Sequence, residues 1–210
     1  AANGASITNV NLPNTTISGL NAGFSVTLRW TITNGSCISF DDVTLTNNTS
    51  PTVANAGGDQ QICGSNTVLA ANTPGVGSGV WSVISGTGGT IATATDPLSG
   101  FSGVSGNTYV LRWTVSNGIC SSYDDVQIEL NTIPDVAASS QTICSGSSTS
   151  IAITNPNAVA GTTFSWAIQS ITNVTGAAPG SGTLIGQVLT ATDGITQGAI
   201  TYRITPVANE

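Results

Sequence analysis

The chain has 210 residues, only 6% of them charged, with three arginines, no lysine, no histidine and a net charge of −7. That balance excludes the basic patch that nucleic-acid binding requires, and without histidine there is no Ser-His-Asp or Cys-His machinery and no imidazole metal site. The hydrophobic fraction of 39% supplies cores spread thinly over short strands, and no apolar run reaches the ~18 residues that would insert in a membrane.

Residues 1–50 read as the second half of a module. After Thr16-Ile17-Ser18-Gly19-Leu20, the run from Leu28 through Trp30 and Asn34-Gly35 to Cys37 and Asp41-Asp42-Val43 has the pattern of a β-hairpin. Apolar and polar residues alternate with the period of a half-buried strand, and the Asn-Gly pair predicts a type I′ turn. The same run recurs at 111–126, shifted by 83 residues, with eleven of sixteen positions identical. A shift that long is a domain length, so the chain reads as a tandem array. Thr46-Asn47-Asn48-Thr49-Ser50 reads as a linker.

Residues 51–132 read as one complete module. Pro51-Thr52-Val53-Ala54 predicts an edge strand, because proline cannot donate to an inner ladder. Gln60-Gln61-Ile62-Cys63 follows, then a Gly/Ser turn and an apolar strand at Val68-Leu69-Ala70, with Val80-Trp81-Ser82-Val83 reading as a further strand. The module closes with a hairpin from Tyr109 to Leu130, turning at Asn117-Gly118. Residues 133–210 repeat the scheme: Pro134-Asp135-Val136-Ala137, then Gln141-Thr142-Ile143-Cys144, Ile151-Ala152-Ile153 and Phe164-Ser165-Trp166. The repeat ends at Thr201–Thr205 without its last strand, so a longer protein is expected. No helical stripe occurs. Strands every 8–12 residues predict an all-β fold of tandem immunoglobulin-like antiparallel β-sandwiches. At ~3.3 Å per residue, each module spans roughly 30–40 Å.

Four features are candidates for chemistry. Four regularly placed cysteines suggest disulfides and an oxidising, extracytoplasmic setting. Parity pairs Cys63 with Cys120 and leaves the partners of Cys37 and Cys144 outside the chain; the rival pairing is Cys37–Cys63 with Cys120–Cys144. A Cys63–Cys120 bond would contribute about 4 kcal/mol on the chain-entropy account. Trp30, Trp81, Trp113 and Trp166 read as core aromatics, against the alternative of a sugar-stacking platform. The doublets Asp41-Asp42 and Asp124-Asp125, with Asp59, are weak candidates for Ca²⁺. Such a site needs about six to eight oxygens and no Asp-x-Asp-x-Asp-Gly loop exists, so no cofactor is expected. The plainer reading is a solvated edge, with Arg29 and Arg112 as partners. Glu129 and Glu210 are the only glutamates, which weakens a two-carboxylate hydrolase. Residues 84–100 and 170–182 differ most between modules, as grafted binding loops would.

These motifs resemble a known family. Val53 to Cys63, Val80-Trp81-Ser82 and Leu111 to Val126 look like the PKD-like, immunoglobulin-like repeats of giant Bacteroidetes cell-surface proteins, most like SprB-type gliding-motility adhesins. Residues 141–146 with Phe164-Ser165-Trp166 resemble a second PKD-like subtype. The resemblance implies export by the type IX system, attachment at the outer membrane of a Gram-negative bacterium, and a non-enzymatic stalk or filament. Its partners would be neighbouring modules of the same chain, and a surface polysaccharide or another surface protein if the loops bind.

Overall fold

The computed structural model describes residues 2–208, so Glu210 lies outside the described residues. Among the described residues, apart from one 3₁₀ turn at Ala2–Gly4, every regular element is a β-strand. The chain forms two compact units, residues 1–62 with 66–129, and residues 63–65 with 130–210.

In the first unit the strands are β1 (Ser6–Ile7), β2 (Ile17–Ser18), β3 (Phe24–Asn34), β4 (Cys37–Asn47), β5 (Gln60–Cys63), β6 (Asn66–Val68), β7 (Ser78–Ser85), β8 (Thr90–Ile91), β9 (Gly100–Ser102), β10 (Asn107–Asn117) and β11 (Cys120–Asn131), with the last residues of β5 and β11 counted in the second unit. A four-stranded sheet, β5-β11-β10-β7, and a three-stranded sheet, β6-β9-β8, form an immunoglobulin-like sandwich. Alternation along the closing hairpin decides which residues enter the core. Tyr109, Leu111, Trp113 and Val115 on β10 and Ile128 and Leu130 on β11 are fully buried, whereas Arg112 and Asp125 point away. Trp113 lies opposite Trp81 across the β10–β7 ladder, ring centroids 5.2 Å apart. Phe101 of β9 meets Tyr109 of β10 edge-on at 5.1 Å, an aromatic contact that joins the two sheets. The Tyr109 hydroxyl is satisfied inside: it donates to the Thr87 carbonyl at 2.9 Å and accepts from the Val104 N–H at 2.8 Å. Gly79 is required where it stands, because the Trp113 ring fills the space a Cβ would take.

The same hairpin sequence behaves differently at β3–β4. The two strands pair in continuous register from Phe24↔Asn47 to Asn34↔Cys37, yet among the described residues they form a sheet of two strands only, and Trp30, Ile32, Phe40 and Val43 stay exposed. Trp30 is therefore 39% exposed where its counterpart Trp113 is 0% exposed. The expectation that Trp30 is a core aromatic is corrected: alternation gives it an apolar side, but a facing sheet is what buries it.

Two further expectations change. The hairpin loops are Gly35-Ser36 and Gly118-Ile119, with Asn34 still inside the ladder opposite Cys37. Only the glycines take positive φ (59° and 61°), the pattern of a type II′ turn and not type I′. Residues 51–59 form no strand; side-chain hydrogen bonds and isolated backbone bonds, Thr52 N–H to the Val76 carbonyl and Asn72 N–H to the Asn55 carbonyl, hold them instead.

In the second unit the strands are β12 (Ala137–Ala138), β13 (Ser147–Ser148), β14 (Ile151–Thr154), β15 (Thr163–Thr172), β16 (Val174–Thr175), β17 (Gly180–Ser181), β18 (Leu184–Ile185), β19 (Val188–Ala191) and β20 (Ala199–Val207). They form three-stranded sheets β12-β14-β18, β13-β19-β16 and β17-β15-β20. Ile153, Phe164, Trp166 and Ile185 make the core, with Val136, Ile151, Tyr202 and Ile204 packed against it. Among the described residues no strand pairs with the far edge of β20.

The contrast between the two hairpins gives a direct test. Trp113→Ala is expected to cost about 3–5 kcal/mol, the usual range for deleting a buried large aromatic. Trp30→Ala is expected to cost less than half of that. Urea denaturation followed by circular dichroism measures both.

Candidate functional site

The sandwich of β5 to β11 is held at its seam by one repeated geometry. Residues 54–61 of the incoming segment run parallel to the outgoing strand β11, the side-chain bonds between them joining residues 68 apart, and Thr49 ahead of them is held by the end of β10. Asn117 Nδ2 donates to the Thr49 carbonyl at 2.9 Å and to Thr49 Oγ1 at 2.7 Å. The Ala54 N–H donates to Ser122 Oγ at 3.0 Å and the Ala56 N–H to Asp124 Oδ2 at 2.8 Å. The Gln127 N–H donates to Asp59 Oδ1 at 2.8 Å, and Gln61 Nε2 donates to Glu129 Oε2 at 2.8 Å. At the far end, the Gly64 N–H donates to the Asn131 carbonyl at 2.8 Å.

This seam assigns different work to the two carboxylates of the doublet. Asp124 accepts the Ala56 N–H and so clips the incoming segment. Asp125, on the opposite face of β11, forms a two-pronged ion pair with Arg112, from Nε at 2.7 Å and from Nη2 at 2.8 Å. The donating guanidinium holds the Asp125 carboxyl below the usual carboxylate range. Arg112 also lies over the Tyr123 ring, 3.9 Å from its centroid. Arg29, Asp42 and Phe40 repeat that arrangement on β3–β4, with both ion-pair distances 2.8 Å and the ring at 4.0 Å, and the Asp42 carboxyl is lowered for the same reason. Asp59, Asp124 and Asp125 are thus each engaged by a separate partner. Among the described residues no group of three or more acidic, histidine or cysteine side chains gathers as a metal would need.

The aromatic candidates divide by burial. Trp81, Trp113 and Trp166 are at most 8% exposed, so none of these rings is free to stack on a sugar. The Trp166 indole N–H donates to the Ala178 carbonyl at 3.2 Å.

All four cysteines are free, Cys37, Cys63 and Cys144 exposed and Cys120 half-buried. The Cys63–Cys120 pairing is corrected, and strand geometry gives the reason. Cys63 precedes Gly64, which is bonded to Asn131 at the end of β11, whereas Cys120 opens that strand. Eleven residues of strand separate those ends, about 36 Å at ~3.3 Å per residue, and a disulfide needs Cα atoms within about 7 Å. Cys37 opens β4, directly after the turn of the β3–β4 hairpin.

The variable loops border two hollows, one in each unit. The first is a depression of ≈310 Å³ beside β6, β8 and β9, lined among others by Thr67, Thr90 and Phe101. The second is a groove of ≈590 Å³ in the second unit, lined by Gln141–Ser145, Leu189–Ala191 and residues 194–200, with no charged side chain in its lining. Near it Asp193 accepts from the Thr196 hydroxyl and N–H, Asn173 Nδ2 and the Ile195 N–H, which together hold its carboxyl far below the usual range.

Residues 141–210 match the family described as PKD-like domain. The PKD-like segment is the greater part of the second unit, β13 to β20 included. Among solved structures the chain is similar to a three-Ig segment of titin, at 8% identity and TM-score 0.43, covering 90% of this chain and 72% of that one. It is also similar to the N-terminal eight Ig domains of Down syndrome cell adhesion molecule, at 11% identity and TM-score 0.42, covering 100% and 36%. A third is the insect immune protein hemolin, at 15% identity and TM-score 0.38, covering 87% and 55%. Comparison with curated protein sequences gives no match. Asp59 of the incoming segment and Asp124 of β11 stand out in the sequence, but their partners are backbone N–H groups, which no side-chain pattern announces.

The doublet separates the two roles experimentally. Asp124→Ala leaves the Ala56 N–H without its charged acceptor and is expected to cost about 1–3 kcal/mol. Asp125→Ala removes a solvent-exposed pair, of the kind that contributes little, and is expected to move the urea midpoint much less. Equilibrium denaturation of the two variants checks this.

Proposed function

We propose that the chain is a load-bearing segment in the shaft of a large secreted cell-surface adhesin, and that its role is reach and stiffness without catalysis. The parallel seam carries the proposal. A pull on the array enters the complete module at Pro51 and leaves at Asn131. Those points lie at opposite ends of two segments that run side by side in the same direction. The load therefore shears the seam, and its hydrogen bonds resist together; in an antiparallel pair pulled from one end they would break one after another. Each bond contributes only about 0.5–1.5 kcal/mol, so acting together matters.

The linker supports the same reading. Asn117 holds Thr49, which ties the hairpin turn of the complete module to the segment that joins it to the preceding strands. Such a tie restrains bending where a free linker would swivel. The setting that suits this work is extracellular, on the surface of a Gram-negative bacterium, in attachment or gliding; the PKD-like match and the repeat motifs support that assignment. The partners are then the neighbouring modules of the chain itself.

Small-angle scattering of chains lengthened by one, two and three extra copies of residues 51–133, inserted after Ile133, tests stiffness. A shaft is expected to gain a constant ~30–40 Å in maximum dimension per copy. Gains that shrink with each copy, in the manner of a flexible string of beads, would overturn the proposal.

A further inference from the structure

The free cysteines carry a consequence that their positions make specific. The four fall into two classes. Cys37 and Cys120 each open the second strand of a hairpin, directly after its Gly-x turn. Cys63 and Cys144 each end a Gln-x-Ile-Cys run ahead of a Gly-containing turn. Members of the two classes sit at opposite ends of a module, which forbids a bond within it.

The joint is where the classes meet. In the first unit, the turn at Gly118 stands against the Asn48 side chain, and Asn117 binds Thr49. Shifted by the 83-residue period, Asn48 and Thr49 become Asn131 and Thr132. Asn131 is the residue whose carbonyl accepts the N–H of Gly64, next to Cys63. One linker position thus borders the Cys63 end of the module before it and the Cys120 end of the module after it.

We infer that successive modules of this type are clasped across their joint by a disulfide, from the Cys63-class sulfur of one module to the Cys120-class sulfur of the next. The pairing runs opposite to one in which a hairpin turn reaches forward to the next module. It also accounts for four free thiols in this chain. The joint at Asn48 offers only Cys120 and the joint at Asn131 offers only Cys63, because residues 1–50 contain no Cys63-class residue and residues 133–210 no Cys120-class residue. Both sulfurs are accessible. Formation is thiol–disulfide exchange: each thiol gives up its proton, one S–S bond forms, and the two electrons reduce a disulfide oxidant such as oxidised glutathione to two thiols. The clasp would lock the joint that the shaft reading requires to be stiff. Its test reads sulfur chemistry, whereas the shaft reading is judged by length.

The experiment uses the full chain with a second copy of residues 51–133 inserted after Ile133, refolded in a glutathione redox buffer and mapped by non-reducing peptide mass spectrometry. The expected result is one disulfide, between Cys63 of the first copy and Cys120 of the second, with two of the six thiols consumed. Changing Cys63→Ser in the first copy alone is expected to abolish that cross-linked peptide and leave Cys120 of the second copy free, while circular dichroism still shows a β fold. Six free thiols after oxidation, or a bond between Cys63 and Cys120 of the same copy, would overturn the inference.

Discussion

The structure depends on the parallel alignment of residues 54–61 with the strand that leaves the same module. One constant offset of 68 residues governs the bonds from Ala54–Ser122 to Gln61–Glu129. That alignment settles several matters together. It gives Asp59 and Asp124 backbone partners. It lets an irregular segment that opens with proline close the edge of a sheet without a regular ladder. And it separates Cys63 from Cys120 by the length of β11. In the proposed shaft, load would arrive and depart at opposed ends of these parallel neighbours and so shear the seam between them.

The two hairpins provide an internal control on what sequence alone determines. Eleven of sixteen residues are shared between them, and both make the same turn, the same ion pair and the same cation–ring contact. Local chemistry is therefore copied faithfully. Burial is not: Leu111 and Trp113 are sealed by the sheet that carries Phe101, and Trp30 is not sealed. The apolar stripe of a strand states which side must be covered and says nothing of what covers it. The hydrophobic contribution belongs to the completed sandwich.

Much of the fold was legible in the sequence. Alternation along 109–115 was enough to place the closing hairpin and its buried face. Trp81, Trp113 and Trp166 followed from their apolar neighbours. The misjudged features were those decided by geometry between distant segments. Parity of cysteines favoured Cys63–Cys120 because counting ignores which end of a strand each thiol occupies. Asn-Gly suggested two positive-φ positions, but pairing of Asn34 with Cys37 moved the loop one residue on and left that role to glycine alone. The Asp pairs resembled one solvated edge; only the pleat, which sends adjacent residues to opposite faces, showed that Asp124 clips the backbone while Asp125 holds Arg112.

Single-molecule pulling on the full chain, with handles at its two termini, tests the shear account most directly. The module spanning residues 51–133 should open in one step, adding about 23–27 nm of contour length, its extended length at ~3.3–3.6 Å per residue less the ~3–4 nm it spans when folded, and a variant carrying both Asp59→Ala and Asp124→Ala should open at a clearly lower force. Unfolding forces for that step that match in the two chains would contradict the claim that the parallel seam bears the load.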